Sequence, residues 1–156
     1  MKSARLFALG LALTAFAGCK DRHHAPTSAG GVPIVQIPDD DPHLALAAAQ
    51  AKKEWPTFLA AFKRPAGKRG FAVKTAFPTK GGGTEYMWVM VTSVDEQAVT
   101  GTLDDAPIND IGHKEGDTIT VPARQVEDWV FMDGNTRVGG FSIDIMNQMS
   151  EEQKKK

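Results

Sequence analysis

The chain has 156 residues, 42% of them hydrophobic, which is enough for one core of ordinary size and too little for two comfortable domains. Its 18 basic and 19 acidic side chains give a formal net charge of -1, so there is no field of one sign to attract nucleic acid or an anionic surface. The composition therefore predicts a single domain and disfavours nucleic-acid binding.

Residues 1–18 have the plan of a secretory signal peptide. Lys2 and Arg5 precede the apolar run 6–16, and the small residues Ala17 and Gly18 follow it. The run is shorter than the roughly 20 residues that a membrane-spanning helix needs. We therefore expect this segment to direct export and then to be removed.

Cys19 is the only cysteine in the chain, and it directly follows Phe16, Ala17 and Gly18. These four residues resemble the lipobox of bacterial lipoproteins, in which the cysteine receives a diacylglycerol and the chain is cut just before it. A lone thiol in an oxidising compartment supports this role. We predict a lipoprotein of the cell envelope, held in the membrane through Cys19 and facing the periplasm. Cleavage before Gly18, giving a soluble secreted or periplasmic protein, is the alternative.

Residues 19–40 show little apolar periodicity and are predicted to form a flexible tether. Asp41 and Pro42 are typical of a helix start. Pro56 either kinks this helix or divides it in two, and Pro65 with Gly67 ends it. The apolar positions recur at intervals of three and four, which predicts a face turned to the core: Leu44, Ala48, Ala51, Trp55, Phe58, Leu59 and Phe62.

From residue 70 the apolar period changes to two, which predicts strands. They are expected at 71–77, 86–94, 99–103, 118–121, 128–132 and, after a turn at 133–135, through Val138 to Phe141, Ile143 and Ile145. The predicted fold is α+β, with an N-terminal helical segment packed on a bent antiparallel sheet or a partly open small β-barrel of five to six strands. The globular domain is expected at 41–147 and a polar tail at 148–156.

Four stretches carry a family resemblance: Phe71-Ala72-Val73-Lys74, Glu85-Tyr86-Met87-Trp88-Val89, Gly101-Thr102-Leu103 with Pro107 after it, and Asp128-Trp129-Val130-Phe131 leading to Gly139-Gly140-Phe141-Ser142. Over residues 45–146 the chain is similar to the bacterial YegJ-like family of domains of unknown function. The resemblance implies a shared fold and exported or lipid-anchored relatives, and it implies no reaction. Tyr86 stands where histidine is frequent in that family, which argues against catalysis from this position.

No catalytic residue, metal or cofactor is predicted for the domain. It has no cysteine and no nucleophile motif, and His43 and His113 fall in a first helical turn and a polar loop. Carboxylates at strand ends or in the long loop, namely Glu85, Asp104, Asp105 and Asp128, are the remaining candidates. Their alternative roles are turn capping and ion pairs with residues such as Lys74.

The candidate ligand-binding residues are Glu85, Trp88, Asp105, Asn109, Asp128 and Trp129. Each tryptophan is either a core residue or the wall of a groove. The loop 104–116 is the longest polar connection and is predicted to be a recognition surface. We predict a non-catalytic binding module whose partner is an unknown envelope protein or a small ligand. An envelope hydrolase using acidic residues, and an inhibitor or immunity-type lipoprotein, are the alternatives.

Overall fold

A computed structural model describes residues 41–64 and 70–155. The predicted signal peptide, Cys19, the tether and the helix-ending Pro65 and Gly67 lie outside these ranges. Within them, we find no helix with the length and apolar character needed to span a bilayer. The elements are α1 (Pro42–Phe62), β1 (Ala72–Pro78), β2 (Thr84–Val94), β3 (Ala98–Leu103), β4 (Thr118–Pro122), a 3-10 turn (Ala123–Gln125), β5 (Val126–Asp133), β6 (Thr136–Gly139) and α2 (Phe141–Lys154).

Helix α1 begins where the sequence predicts. Asp41 is its N-cap, and the Asp41 carboxylate accepts a hydrogen bond from the backbone N–H of His43 at 2.8 Å. This hydrogen bond lowers the pKa of the Asp41 carboxyl. The helix continues through Pro56 to Phe62, so the alternative in which Pro56 opens a second helix is wrong.

The six strands form one antiparallel sheet in the order β4-β3-β2-β1-β5-β6. Only the short turn Ala123–Gln125 joins β4 to β5, although four strand spacings separate them in the sheet. Four spacings span about 19 Å in a flat sheet, whereas four extended residues reach about 14 Å. The sheet therefore curls strongly between its open edges, and the predicted bent antiparallel sheet is confirmed.

Successive side chains point to opposite sides along each strand, so the residues divide between two faces of the sheet. On the first face, Val73, Val89 and Trp129 lie in register across β1, β2 and β5, and all three are fully buried. Helix α1 packs on this face through Phe58, whose ring centre lies 5.5 Å from that of Trp129. The Trp129 indole N–H also donates to the carbonyl of Ala51 at 2.8 Å, which fixes α1 over β5.

The prediction of a strand through Phe141, Ile143 and Ile145 is wrong, because these residues lie in α2. Gly139 and Gly140 have φ values of 78° and 76°, so the chain leaves β6 and turns there. Helix α2 then extends to Lys154, through residues for which the sequence suggests a polar tail.

The start of α2 is held by a residue that is distant in sequence. The Asp128 carboxylate accepts hydrogen bonds from the backbone N–H groups of Phe141 and Ser142. A helix start leaves such donors without intrahelical partners. Because the acceptor comes from β5 and the N-cap residue Gly140 has no side chain, no local capping residue marks the start of this helix.

Candidate functional site

Three side chains form a row across the middle of the second face. Trp88 of β2, Lys74 of β1 and Asp128 of β5 are paired in register. A bulge in the β1–β5 pairing gives β5 one extra residue, Glu127, beside this row. The bulge therefore places two carboxylates of β5 next to one lysine of β1.

Asp128 has only 1% of its surface exposed, and its carboxylate accepts four hydrogen bonds. Oδ1 accepts from the backbone N–H of Trp129 at 2.7 Å and from that of Phe141 at 3.3 Å. Oδ2 accepts from the backbone N–H of Ser142 at 2.8 Å and from the Ser142 hydroxyl at 2.7 Å. We call Asp128, Trp129, Phe141 and Ser142 the Asp128 junction. It fastens the start of α2 to β5.

Lys74 lies beside the Asp128 junction and is partly buried. Its Nζ donates to Ser142 Oγ at 3.3 Å and lies 5.6 Å from the centre of the Tyr86 ring. Burial lowers the pKa of the Lys74 amine below its usual 10.5, and the charges of Asp128 and Glu127 act in the opposite direction. In the described part of the chain, no carboxylate oxygen forms an ion pair with Lys74 within 4.0 Å.

A cavity of about 230 Å³ opens beside Lys74 and Ser142. Its apolar wall comes from the first turns of α1, and its remaining lining comes from the sheet and the start of α2. The lining residues are Leu44, Ala45, Ala48, Lys74, Tyr86, Glu127, Asp128 and Ser142. Pockets for drug-sized ligands usually have about 300–1,000 Å³, so this cavity fits a smaller molecule or the end of a chain.

A second cavity, of about 340 Å³, lies farther along α1 beside Trp55. Its charged residues, Lys52, Glu96 and Arg124, are all exposed. Lys52 Nζ also pairs with Glu127 Oε1 at 3.3 Å, so one ion pair joins the linings of the two cavities. Because only the first cavity has a partly buried charge in its wall, it is the stronger candidate for a site.

The loop 104–116 is held by Glu85. Its Oε1 accepts from the backbone N–H of Ile108 at 2.7 Å, and its Oε2 accepts from the backbone N–H and side-chain amide of Asn109 at 2.8 and 2.9 Å. The Ile108 side chain is nevertheless 59% exposed. Two of the residues singled out from the sequence, Glu85 and Asn109, thus contact each other, and they give the loop a defined shape.

Asp105 lies exposed near the start of the same loop, next to Asp104. The backbone N–H of Asp104 donates to the carbonyl of Trp88 at 3.1 Å. Partial burial raises the pKa of the Asp104 carboxyl, and the charges of Asp105 and Glu115 add to this effect. Neither aspartate lines either cavity.

Glu85 and Asp128 lie on different faces of the sheet. Because side chains alternate along β2, Glu85 lies on the same face of the sheet as Met87 and Val89, which are buried on the first face. Asp128 shares the second face with Lys74. The two carboxylates are therefore not placed as a cooperating pair. Within residues 41–64 and 70–155, no group of three or more His, Cys, Asp or Glu side chains is placed to hold a metal ion.

The two candidate tryptophans have different environments. Trp129 has no exposed surface and belongs to the aromatic core under α1. Trp88 is only partly covered and stands next to Lys74 in the β1–β2 register. Of the two, Trp88 is the one with surface available to a ligand.

Reasoning from the sequence missed Lys74 and Ser142 as site residues. A signal for Lys74 was present, because it is the one charged residue of β1 and stands between Ala72 and Ala76 on the second face. Ser142 carried no comparable signal, since its contact with Lys74 joins residues 68 positions apart.

Comparison with known proteins finds a family model for the domain and a relative that it matches over part of its length. A family model described as an uncharacterized protein conserved in bacteria (DUF2314) matches residues 41–156. A putative ankyrin repeat protein of Neisseria meningitidis serogroup B is 31% identical over 71 residues, which are 45% of this chain and 28% of that protein. The chain thus spans less than a third of this relative's length. No solved structure matches the chain.

Proposed function

The chain belongs to the DUF2314 family of bacterial proteins, whose function is uncharacterised, and from that premise we propose that it is an exported, lipid-anchored envelope protein with a non-catalytic binding domain. The domain binds a small ligand, or the end of a partner chain, in the cavity beside Lys74. The YegJ-like name suggested by the sequence motifs stays a prediction.

The cavity beside Lys74 is the observation that carries the binding role. It combines an apolar wall from α1 with a partly buried amine, and ligand sites commonly consist of such walls with a few placed polar groups. The amine is held by Ser142 and by the ring of Tyr86, so its position is set before a ligand arrives. A preset position lowers the ordering cost of binding.

The geometry favours binding over hydrolysis. The Ser142 hydroxyl is the nearest potential nucleophile, yet its residue is only 4% exposed and its proton is directed to Asp128. Glu85 is engaged by the loop 104–116 on the other face. A nearly buried hydroxyl whose proton is engaged by Asp128, together with two separated carboxylates, does not support the envelope hydrolase, which remains the alternative.

The loop 104–116 supplies a second surface for a larger partner. Glu85 fixes its shape, and the loop presents Ile108, Asp105 and Asn109 to solvent. If an envelope protein binds here, replacing Ile108 with Asp should reduce its capture from envelope extracts and leave small-molecule binding in the cavity unchanged. An inhibitor or immunity-type lipoprotein would differ only in the identity of this partner.

Export and anchoring rest on the sequence, from the apolar run 6–16 to Cys19. Replacing Cys19 with Ala should release the protein from the membrane fraction, and Ser28→Ala in the tether should not. The wild-type chain should also incorporate labelled fatty acid. A wild-type mature chain that begins at Gly18 without lipid would refute the anchor.

The cavity is tested by filling it. Ala48 lines the cavity and Ala49 is exposed one residue farther along α1, so Ala48→Leu and Ala49→Leu form a matched pair. We expect some small organic molecules to shift the backbone NMR signals of cavity residues saturably in the wild-type protein and in Ala49→Leu. Binding should be lost in Ala48→Leu. Equal binding by both variants would exclude the cavity as the site.

A further inference from the structure

We propose that the ligand of the cavity carries a carboxylate on a short apolar group, and that Lys74 Nζ binds this carboxylate. The inference rests on the proposed binding function and names the chemistry of its ligand. It follows from the way in which Lys74 and the two nearby acidic residues are partnered.

Lys74 has unused hydrogen-bonding capacity. An ammonium group has three N–H donors, and the described contacts of Nζ are one hydrogen bond to Ser142 and one approach to the Tyr86 ring. A buried charge is normally paired, because desolvation without a partner is unfavourable. An anionic group in the cavity would give Lys74 the ion pair that it lacks.

The two neighbouring carboxylates are engaged elsewhere. Both oxygens of Asp128 are occupied by the four donors of the Asp128 junction. Glu127 is paired with Lys52 on α1. Lys74 therefore neighbours negative charge that stabilises its ammonium form, and neither residue forms a direct ion pair with it.

The size and walls of the cavity restrict the anion. Leu44, Ala45 and Ala48 form an apolar wall beside the amine, which suits an alkyl group attached to the charged end. A single ammonium with N–H donors to spare matches a singly charged carboxylate. A phosphate dianion would need more donors than this amine has, and the charges of Asp128 and Glu127 in the same lining would repel it more strongly than a monoanion. The carboxylate can belong to a free short-chain acid or to the C terminus of a peptide.

The test is an NMR titration of the full-length, isotope-labelled chain in detergent. The probes are isovalerate, the neutral alcohol and the amine of the same carbon skeleton, and acetyl-Ala-Val with a free or an amidated C terminus. We expect isovalerate to shift the signals of Ala48, Tyr86 and Ser142 and to bind at least about tenfold more tightly than the alcohol or amine, since a charge-assisted hydrogen bond contributes about that factor. Stronger binding by the free-acid peptide than by isovalerate would identify a chain terminus as the source of the carboxylate, and the reverse order a free acid.

Lys74→Met should remove the preference for the acid, whereas Lys80→Met, at an exposed lysine that pairs with Asp110, should keep it. If Lys74→Met does not fold, the comparison of acid, alcohol and amine on the wild-type protein still decides the matter. Equal binding of the acid, the alcohol and the amine would refute the proposal that the ligand carries a carboxylate. The proposed binding function would still hold. If no probe shifts the cavity residues, and no other small molecule does, the proposed function fails as well.

Discussion

Asp128 and Glu85 make the same kind of interaction, a carboxylate accepting backbone N–H groups, in two different environments. Each carboxylate accepts hydrogen bonds from two backbone N–H groups and from one side chain, and Asp128 accepts a third backbone N–H in addition. Asp128 is buried and joins β5 to α2, whereas Glu85 is partly exposed and holds a surface loop. The same interaction therefore fixes the fold at one place and only the shape of a loop at the other, because water can readily replace Glu85, whereas only 1% of the surface of Asp128 is exposed.

The largest effect is expected from Asp128→Asn. The amide retains one acceptor oxygen and places an NH2 group against backbone donors, so buried N–H groups lose their partner. We expect the free energy of unfolding to fall by about 3 kcal/mol. Urea unfolding measures this, with Asp133→Asn at an exposed position of the same strand as control. Equal stabilities of the two variants would contradict the structural role of Asp128.

Ser142→Ala should have an intermediate effect. It removes the hydroxyl that donates to Asp128 and accepts from Lys74, while the backbone N–H of Ser142 still holds the junction. We expect a loss of about 1–2 kcal/mol. Ser150→Ala, later in α2, is the matched control and should change stability little. A loss as large as that of Asp128→Asn would mean that the hydroxyl, and not the backbone donors, holds α2.

Glu85→Gln should lower global stability by less than about 1 kcal/mol, because the freed N–H groups of the loop can turn to water. Its local effect should be clear. Hydrogen exchange at the amides of Ile108 and Asn109 should accelerate, whereas exchange at Val73 in the core should stay slow. Unchanged exchange at Ile108 would show that Glu85 does not hold the loop.

Lys74→Met should have the smallest effect at neutral pH and should reveal itself in the pH dependence. Burial lowers the pKa of Lys74 below 10.5, so the unfolded chain binds more protons than the folded protein between the lowered pKa and 10.5. The free energy of unfolding of the wild-type protein should therefore rise, relative to that of Lys74→Met, as the pH increases through this window. Urea unfolding at several pH values measures the difference, and Lys80→Met should follow the wild type. Parallel curves for the wild type and Lys74→Met would contradict the shift.

The strands of the sheet could be predicted from the sequence because the alternation of apolar residues that indicates them is local. Alternation at Phe71, Val73, Thr75 and Phe77 predicts β1 and its buried face, and the pair Asp41-Pro42 predicts the start of α1. Helix α2 was not readable, since the alternation of Phe141, Ile143 and Ile145 imitates a strand and the group that caps the helix comes from β5.

The candidate site was predicted only in part. Asp128 and Trp88 belong to the row beside the cavity, and Glu85 and Asn109 belong to the loop, but the sequence does not separate these two sets. Their separation depends on which face of the curled sheet each residue occupies and on the bulge at Glu127. Such a bulge is set by pairing between strands about 50 residues apart, and single-sequence periodicity does not report it.

The distant cap of α2 also has a consequence for the order of folding. Gly140 at its N-cap has no side chain to offer, and the helix start is held by a carboxylate of β5 that comes beside it through the β5–β6 hairpin. A short helix without such help is marginal in water. We therefore expect α2 to form only after the β5–β6 hairpin. The cavity beside Lys74 needs α1, β1 and the first turn of α2 together, so we expect it to be among the last features of the native protein to appear.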